Sequence, residues 1–598
     1  MNNIERVRWP VKALLLAVSA CMVVACGSGS LNKTPDGSLS QSQVQTPANL
    51  DGLVTAAYSW LGNDHYTDPN FFWPTGNIRG GDAHKGGNGP GDVYYYHLLT
   101  LFNIVTAAPQ DIDAANRYWI RWFDGISRVN TALTAINPLS TSDYPDKTSR
   151  VGELHFLRGV FYFWLKTHFD RVPYYDETVL PTAVISNQAM TSQQLWDAIA
   201  KDFTTAMTNL PKTQSQVGRA NFYAAEAYLA KTLLYQAYVQ DPTSHALVSI
   251  DQAKLAQVVT LVTDVENAKA ADGVTPLYGL LADYSQNFLP QYDNNIESIF
   301  AIQRSVNDGS AQGNGGRGTF SSALNYPVGD SGFGCCGFHI PSADFINSFK
   351  TLNGLPFDGY NGAGPAADYS LANNNYGTQP VDPRLDHSVN SQGKPFKYCT
   401  IAGPTCIHDG ANWARDPGFY GSNIGMKDLV ARDSSALVLN GPFFISSMNT
   451  ALIRFADLEL FKAEALVELN QGDLGLSIIN KLRARAAAST TNLNTNPNAA
   501  AVFLYNVQPY PAFADQATAR KALRRERRLE MGLEGFRFFD LVRWGVAKPT
   551  LDQYFVDESL RRSYLTAGAF TAGRDEYLPI PQVQINLSGG LYVQNPGY

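Results

Sequence analysis

The stretch RRERRLEMGLEGFRFFDLVRWG, residues 524–545, sets arginines beside aromatics and poses a choice between a binding surface and a piece of scaffold. Its six arginines stand against Glu526, Glu530, Glu534 and Asp540, a local excess of two positive charges. A nucleic-acid site needs a basic face that neutralises several phosphates together, and the whole chain carries a formal charge of −7. Both observations argue against nucleic acid as a partner. On a helix Arg524 and Arg528 share one face and Glu526 and Glu530 another, with Arg527 able to reach Glu530 three residues on. The stretch therefore reads as a salt-bridge and packing network that fixes the last helices.

Outward from there, 598 residues exceed one ordinary core, so length allows several units or an extended helical array. Hydrophobic residues at 44% and charged residues at 17% describe a globular chain rather than a disordered one. Residues 1–25 read as a signal peptide: Arg6, Arg8 and Lys12 flank the apolar run VKALLLAVSACMVVA, which is shorter than the roughly 20 residues of a membrane span. Val23, Val24, Ala25 and Cys26 form a lipobox-like end, with Cys26 as the acylated first residue; a tri-acylated amine would anchor stably. Cleavage would remove three basic residues and one acid, taking the charge from −7 to −9. Residues 26–46, small and polar, suit a lipidated flexible tether.

Helical periodicity begins at Pro47. Asp111–Ile136 and Arg150–His168 read as one helix pair, SQQLWDAIAKDFTTAMTNL and NFYAAEAYLAKTLLYQAYV as another, with small residues that let helices stack. A third helical block spans Asn449–Ala488 with Leu452, Ala456, Leu460, Ala463 and Val467 on one stripe, and the last starts near Asp515. Residues 305–445 differ, being dense in Gly, Asn, Pro and Tyr, and long irregular segments of this kind tend to carry function. A glycine-rich loop at residues 68–98 has neither GxGxxG at a strand end nor a GKS or GKT lysine, so phosphate binding is weakly supported. The domain reading is thus residues 47–304 helical, 305–445 a loop-rich insert and 446–598 helical.

After signal removal four cysteines remain, Cys335, Cys336, Cys399 and Cys406, which in an exported chain read as disulfides with three possible pairings. A zinc site recruiting His339 or His408 lacks any Cys-x-x-Cys spacing. No motif nominates a cofactor, a metal or a catalytic group.

The lipobox at Cys26, RGGDAHKGG (residues 79–87), GELHFLRGVFYFWLKTHFDRVPYY (152–175), IRFADLELFKAEALVELNQGD from Ile453, INKLRARA, the opening stretch and the ending YLPIPQVQINLSGGLYVQNPGY follow one another in an order that resembles the SusD/RagB family. The resemblance implies a mostly α fold of about four tetratricopeptide-like helix pairs with a large irregular ligand-binding insert. It also implies a non-catalytic outer-membrane lipoprotein that faces the cell exterior, captures oligosaccharides and passes them to a SusC-like TonB-dependent transporter. Peptide capture in the same class is the alternative, and a lipid-anchored glycoside hydrolase a more distant one. Cys26 is followed by no acid until Asp36, so surface exposure follows from the resemblance and not from the tether.

A neutral sugar needs an aromatic plane beneath its ring and polar groups at its edge. The loop offers Trp73, Asn77, Arg79, Asp82, His84, Lys85, Asn88, Tyr94 and Tyr95, and the insert offers Tyr326, Tyr360, Tyr376, Trp413 and Tyr420. The competing reading makes Phe71, Phe72 and Trp73 core beneath the loop and Asp82 the organiser of its turns.

Overall fold

Side-chain caps set where several helices start. Thr191 accepts from the backbone of Gln194, whose side chain accepts in return from the backbone of Thr191, and Asn221, Asp251 and Asp515 cap three further helices. The structure is a computed structural model that describes residues 46–66, 68–106, 114–180, 182–309, 317–357, 379–401, 403, 405–496, 498 and 504–598. Cys26, Tyr360 and Tyr376 lie outside the described residues. The chain divides into compact units Met1–Gly52, of which residues 46–52 are described, and Leu53–Tyr598.

The main helices are α1 (Pro47–Gly62), α2 (Tyr94–Leu101), α3 (Ala114–Ile136), α4 (Lys147–Phe169), α5 (Ser192–Asn209), α6 (Phe222–Ala237), α7 (Gln252–Glu266), α8 (Phe455–Glu468), α9 (Gly472–Ala488), α10 (Gln516–Met531), α11 (Arg537–Arg543) and α12 (Ala547–Ser559). From α3 to α7 each packs on the next, α7 packs on α8, and α8 on α9 and α10. The array thus runs on across residues 267–454, and the irregular insert leaves it and returns. Glycines permit the close approach: a Cβ on Gly125 would lie 2.6 Å from the Phe161 ring, one on Gly159 2.8 Å from Phe203, and one on Gly475 3.0 Å from Val467. The fold is mostly helical with paired helices and loop-rich regions, as expected from the sequence.

Of the short strand pairs, one joins the insert to the glycine-rich loop and another joins the chain on either side of the insert. β1 (Ala83–Gly86) pairs antiparallel with β3 (Phe338–Pro341), and β2 (Ser298–Ile302) with β4 (Thr450–Arg454). Leu452 therefore belongs to a strand and not to the helical stripe, because Thr450 and Ala451 find ladder partners in Ile302 and Ala301 before α8 begins. The divisions drawn by texture at residues 304 and 445 both fall inside the unit Leu53–Tyr598. The insert has its own apolar core, in which Tyr326, Phe333, Trp413, Tyr420 and Phe444 take part. Cys335 pairs with Cys336 and Cys399 with Cys406.

The opening stretch is mostly buried, and most of its ion pairs reach distant segments. Arg527 meets Asp457 at 2.7 Å and Asp540 at 2.6 Å, not Glu530 three residues on. Glu530 instead takes Arg384 of the insert at 3.0 Å, Arg454 at 2.8 Å and Arg485 at 2.5 Å. Burial alone would raise the Glu530 carboxyl, but the three arginines hold it well below the carboxylate range. One buried acid thus binds α9, α10, β4 and the insert together.

Candidate functional site

The glycine-rich loop and the opening stretch are packed against each other. Gly76 lies so close to Gly535 that a Cβ on it would sit 1.9 Å from the Gly535 carbonyl oxygen, and the Gly535 amide donates to the Asn77 side chain at 2.9 Å. Arg528 bonds Asp82 at 2.8 Å, and the Arg79 guanidinium lies 3.8 Å over the Phe538 ring. Burial nonetheless raises the Asp82 carboxyl, outweighing Arg528.

This placement corrects the ligand reading of most loop residues. Trp73, Asn77, Arg79, Asp82, His84, Lys85 and Tyr95 are buried, Trp73 fully, with its indole N–H donating to the Ser321 carbonyl at 2.9 Å. In the insert Tyr326, Trp413 and Tyr420 are buried as well. Aromatics of this size bury readily because of the apolar area they remove from water. His339 and His408 are also committed, His339 accepting from the Asn77 side-chain amide at 3.0 Å and His408 donating to the Ser422 carbonyl at 2.6 Å. Among the described residues no group of three or more His, Cys, Asp or Glu could hold a metal ion.

What reaches the surface is a band of rings contributed by three separate segments. Tyr94 and His97 stand on α2, Phe419 comes from the insert and Tyr564 follows α12. Tyr94 is 46% exposed; His97, Phe419 and Tyr564 are half-buried. Ring centroids run from Tyr94 to His97 at 6.2 Å, His97 to Tyr564 at 5.8 Å and Phe419 to Tyr564 at 4.5 Å, the last pair stacked within 15°. Tyr420 backs the band, 4.8 Å from Phe419 and 5.4 Å from Tyr564.

Buried groups of the loop position these rings. His84 joins Glu558 and the Tyr564 hydroxyl, both at 3.0 Å, so the Tyr564 ring is held from below. Burial opposes the Glu558 charge, yet His84 and the Ala343 amide keep its carboxyl below the usual range. Lys85 donates to the Gly89 carbonyl at 2.9 Å and to that of Asp92, with its ammonium 5.3 Å over Tyr420; burial lowers it to about 8. Burial, with Lys85 next, also lowers His97. Asn88 and Asp92 precede Tyr94 in the chain and Arg415 and Asp416 precede Phe419; Asp92 accepts from the Asn88 amide and Asp416 from the Phe419 amide. Arg415 pairs with Asp92 at 3.8 Å.

Of the sequence-nominated residues, Tyr94 lies in this band, Asn88 is exposed beside it, and Lys85, His84 and Tyr420 support it from within. His97, Phe419, Tyr564 and Arg415 were not nominated. His97 falls in the nominated loop and Phe419 beside Tyr420, but nothing local marks Tyr564, which is brought there by the end of α12.

Comparison with known proteins follows the same outline. A family model described as "SusD family" matches residues 296–598, and one described as "Starch-binding associating with outer membrane" matches residues 31–234. A "SusD-like protein" of Bacteroides ovatus is 22% identical over 545 residues, covering 89% of this chain and 82% of that protein. "SusD-like protein P2" of Formosa agariphila is 22% identical over 96% of this chain and 98% of its own length. Among solved structures, a SusD-like protein from Bacteroides fragilis superposes with a TM-score of 0.68 at 18% identity, covering 95% of this chain and 100% of that one. A "Laminarin binding SusD-like protein" gives 0.64 at 21% identity over 92% and 100%. Surface glycan-binding protein A from Bacteroides thetaiotaomicron, in complex with laminarihexaose, gives 0.62 at 18% over 92% and 99%.

Proposed function

Because the chain belongs to the SusD family, we propose that it is a non-catalytic binding protein that captures oligosaccharides on the Tyr94–His97–Phe419–Tyr564 band. The observation that carries this reading is the band itself: part-exposed, mutually braced rings bordered by amide, carboxylate and guanidinium groups. Such rings offer an apolar plane to the C–H face of a sugar while the border meets its hydroxyls. The two similar structures named for laminarin or glycan binding support a glycan as the ligand. The carboxylates that border the band are engaged in local structure, which favours capture over chemistry. Asp92 accepts from the Asn88 amide at 2.9 Å and Asp416 from the Phe419 amide at 3.2 Å.

The lipobox motif at Cys26 and the match to a model of proteins associating with the outer membrane support a lipid-anchored position there, facing the cell exterior. Among the described residues no helix is long and apolar enough to cross a membrane. Delivery to a SusC-like TonB-dependent transporter completes the proposal. A binding screen of residues 47–598 against oligosaccharide and peptide panels, with calorimetry on each hit, tests it. Saturable glycan binding without turnover, weakened roughly tenfold by Phe419→Ala, is expected on the basis of aromatic stacking. Peptide binding alone, or glycan binding indifferent to Tyr94, Phe419 and Tyr564, would refute it.

A further inference from the structure

A second recess with aromatic walls opens among the helices. Its volume is about 350 Å³, at the lower end of the roughly 300–1,000 Å³ of small-ligand sites. Trp196 of α5, Tyr235 of α6, Phe539 of α11 and Tyr577 supply rings to it, and no residue of the Tyr94–His97–Phe419–Tyr564 band takes part. The Thr191 cap starts α5 here, so that Gln193 of its first turn lines the same recess as Trp196. The rings are held in place. Trp196 lies 5.6 Å from Phe163 and 6.1 Å from Tyr235, with the Lys166 ammonium 5.4 Å from its ring centre. The Tyr577 hydroxyl donates to the Gln240 side chain at 3.2 Å, and the Gln240 amide donates to the Val542 carbonyl at 2.7 Å.

The charges of the lining are already matched. Arg171 lies 3.8 Å from Asp170 and donates to the Pro242 carbonyl at 3.1 Å and to the Gln188 side chain. Arg543 is held by Asp540 at 2.9 Å and by Glu464. Among the described residues no carboxylate joins the lining. An ionic ligand would thus leave water without a free countercharge to meet, which is costly. What stands open is neutral: the indole N–H of the buried Trp196 and the side-chain amide of the half-buried Gln193 make no hydrogen bond among the described residues. Rings with neutral hydrogen-bonding groups at their edge suit the C–H face and the hydroxyls of an uncharged sugar, and the small volume suits a short one.

We propose that this recess is a second carbohydrate site, which takes the terminal units of a neutral oligosaccharide. It rests on the glycan-capture reading, to which it adds a site built on helices and sharing no residue with the aromatic band.

The test is calorimetric titration of the mature protein with neutral disaccharides of glucose, galactose, mannose and xylose, and with digalacturonate as the charged control. Saturable binding of at least one neutral disaccharide is expected, weakened roughly tenfold or more at this site by Trp196→Ala. Should that variant fail to fold, Trp196→Phe, which keeps a ring but lacks the indole N–H, and Gln193→Trp, which would fill the recess from a half-buried position, take its place. No binding of any neutral disaccharide, or affinity and stoichiometry unchanged in the Trp196 and Gln193 variants, overturns the proposal. Digalacturonate bound more tightly than every neutral sugar overturns it too. Phe419→Ala separates the two readings. Binding lost there and untouched by the Trp196 and Gln193 variants would leave the band as the glycan site and refute the recess; the reverse pattern would keep the recess and refute the band.

Discussion

From Phe72 to Gly87 the glycine-rich loop lies inside the protein, whereas from Asn88 to His97 it returns repeatedly to the surface. Composition does not separate the halves, since both mix glycine, aromatic and charged residues. Their neighbours do. The first half meets α10, α11 and the turn at Gly535, where backbone approaches backbone at Gly76; the second sends Tyr96 inward against Trp73 and His97 outward to Phe419 and Tyr564. A ring becomes scaffold or candidate platform according to what covers it, and Tyr95, 1% exposed, beside Tyr94 shows the change within one residue.

Four measurements would break or sharpen that contrast. The largest effect is expected for Trp73→Ala, which should cost about 3–5 kcal/mol of stability by denaturant unfolding, as a large buried ring is lost; a cost near zero would return Trp73 to the list of ligand platforms. Gly76→Ala should cost about 1–3 kcal/mol or abolish folding, because its Cβ would overlap the Gly535 carbonyl. Gly91→Ala, with nothing within 4 Å, should change the melting temperature little.

A third comparison uses pH. Lys85 sheds its proton near pH 8 in the fold and near 10.5 when unfolded, so between those values the unfolded chain binds more protons and stability rises with pH. Wild type should therefore gain about 1–3 kcal/mol over that window relative to Lys85→Met; parallel profiles would show that Lys85 is not pressed by burial. The smallest effect on stability is expected for Tyr94→Ala, within about 0.5 kcal/mol, together with a weakened glycan affinity. A large fall in melting temperature there would make the second half of the loop core as well.

The opening stretch shows how far local reading reaches. Its mixed charges and aromatic anchors mark it as internal scaffold, and the helical block that contains it reads as starting near Asp515, the residue that caps α10. The nearest partner on the helix, Glu530 for Arg527, is nevertheless wrong. Asp457 and Asp540 outcompete it because α8 and α11 bring them to 2.7 and 2.6 Å in a buried setting. The candidate site behaves likewise: Tyr94 and Tyr420 could be nominated from aromatic loops, but the loop's charged residues were misread as a rim. Asp82, His84 and Lys85 all lie buried: Asp82 meets Arg528 and His84 meets Glu558 from more than four hundred residues away, while Lys85 bonds the nearby Gly89 and Asp92 carbonyls.

The sequence by itself determined the helical class, the caps, the small residues that let helices stack and the order of motifs that identifies the family, because each depends on neighbours within a few turns of chain. Only the tertiary structure decided which rings stay in water, since exposure depends on what packs above a residue. It likewise brought together Tyr94, Phe419 and Tyr564, and joined Glu530 to Arg384, Arg454 and Arg485, because those meetings are made by the return of distant segments and not by any pattern within them.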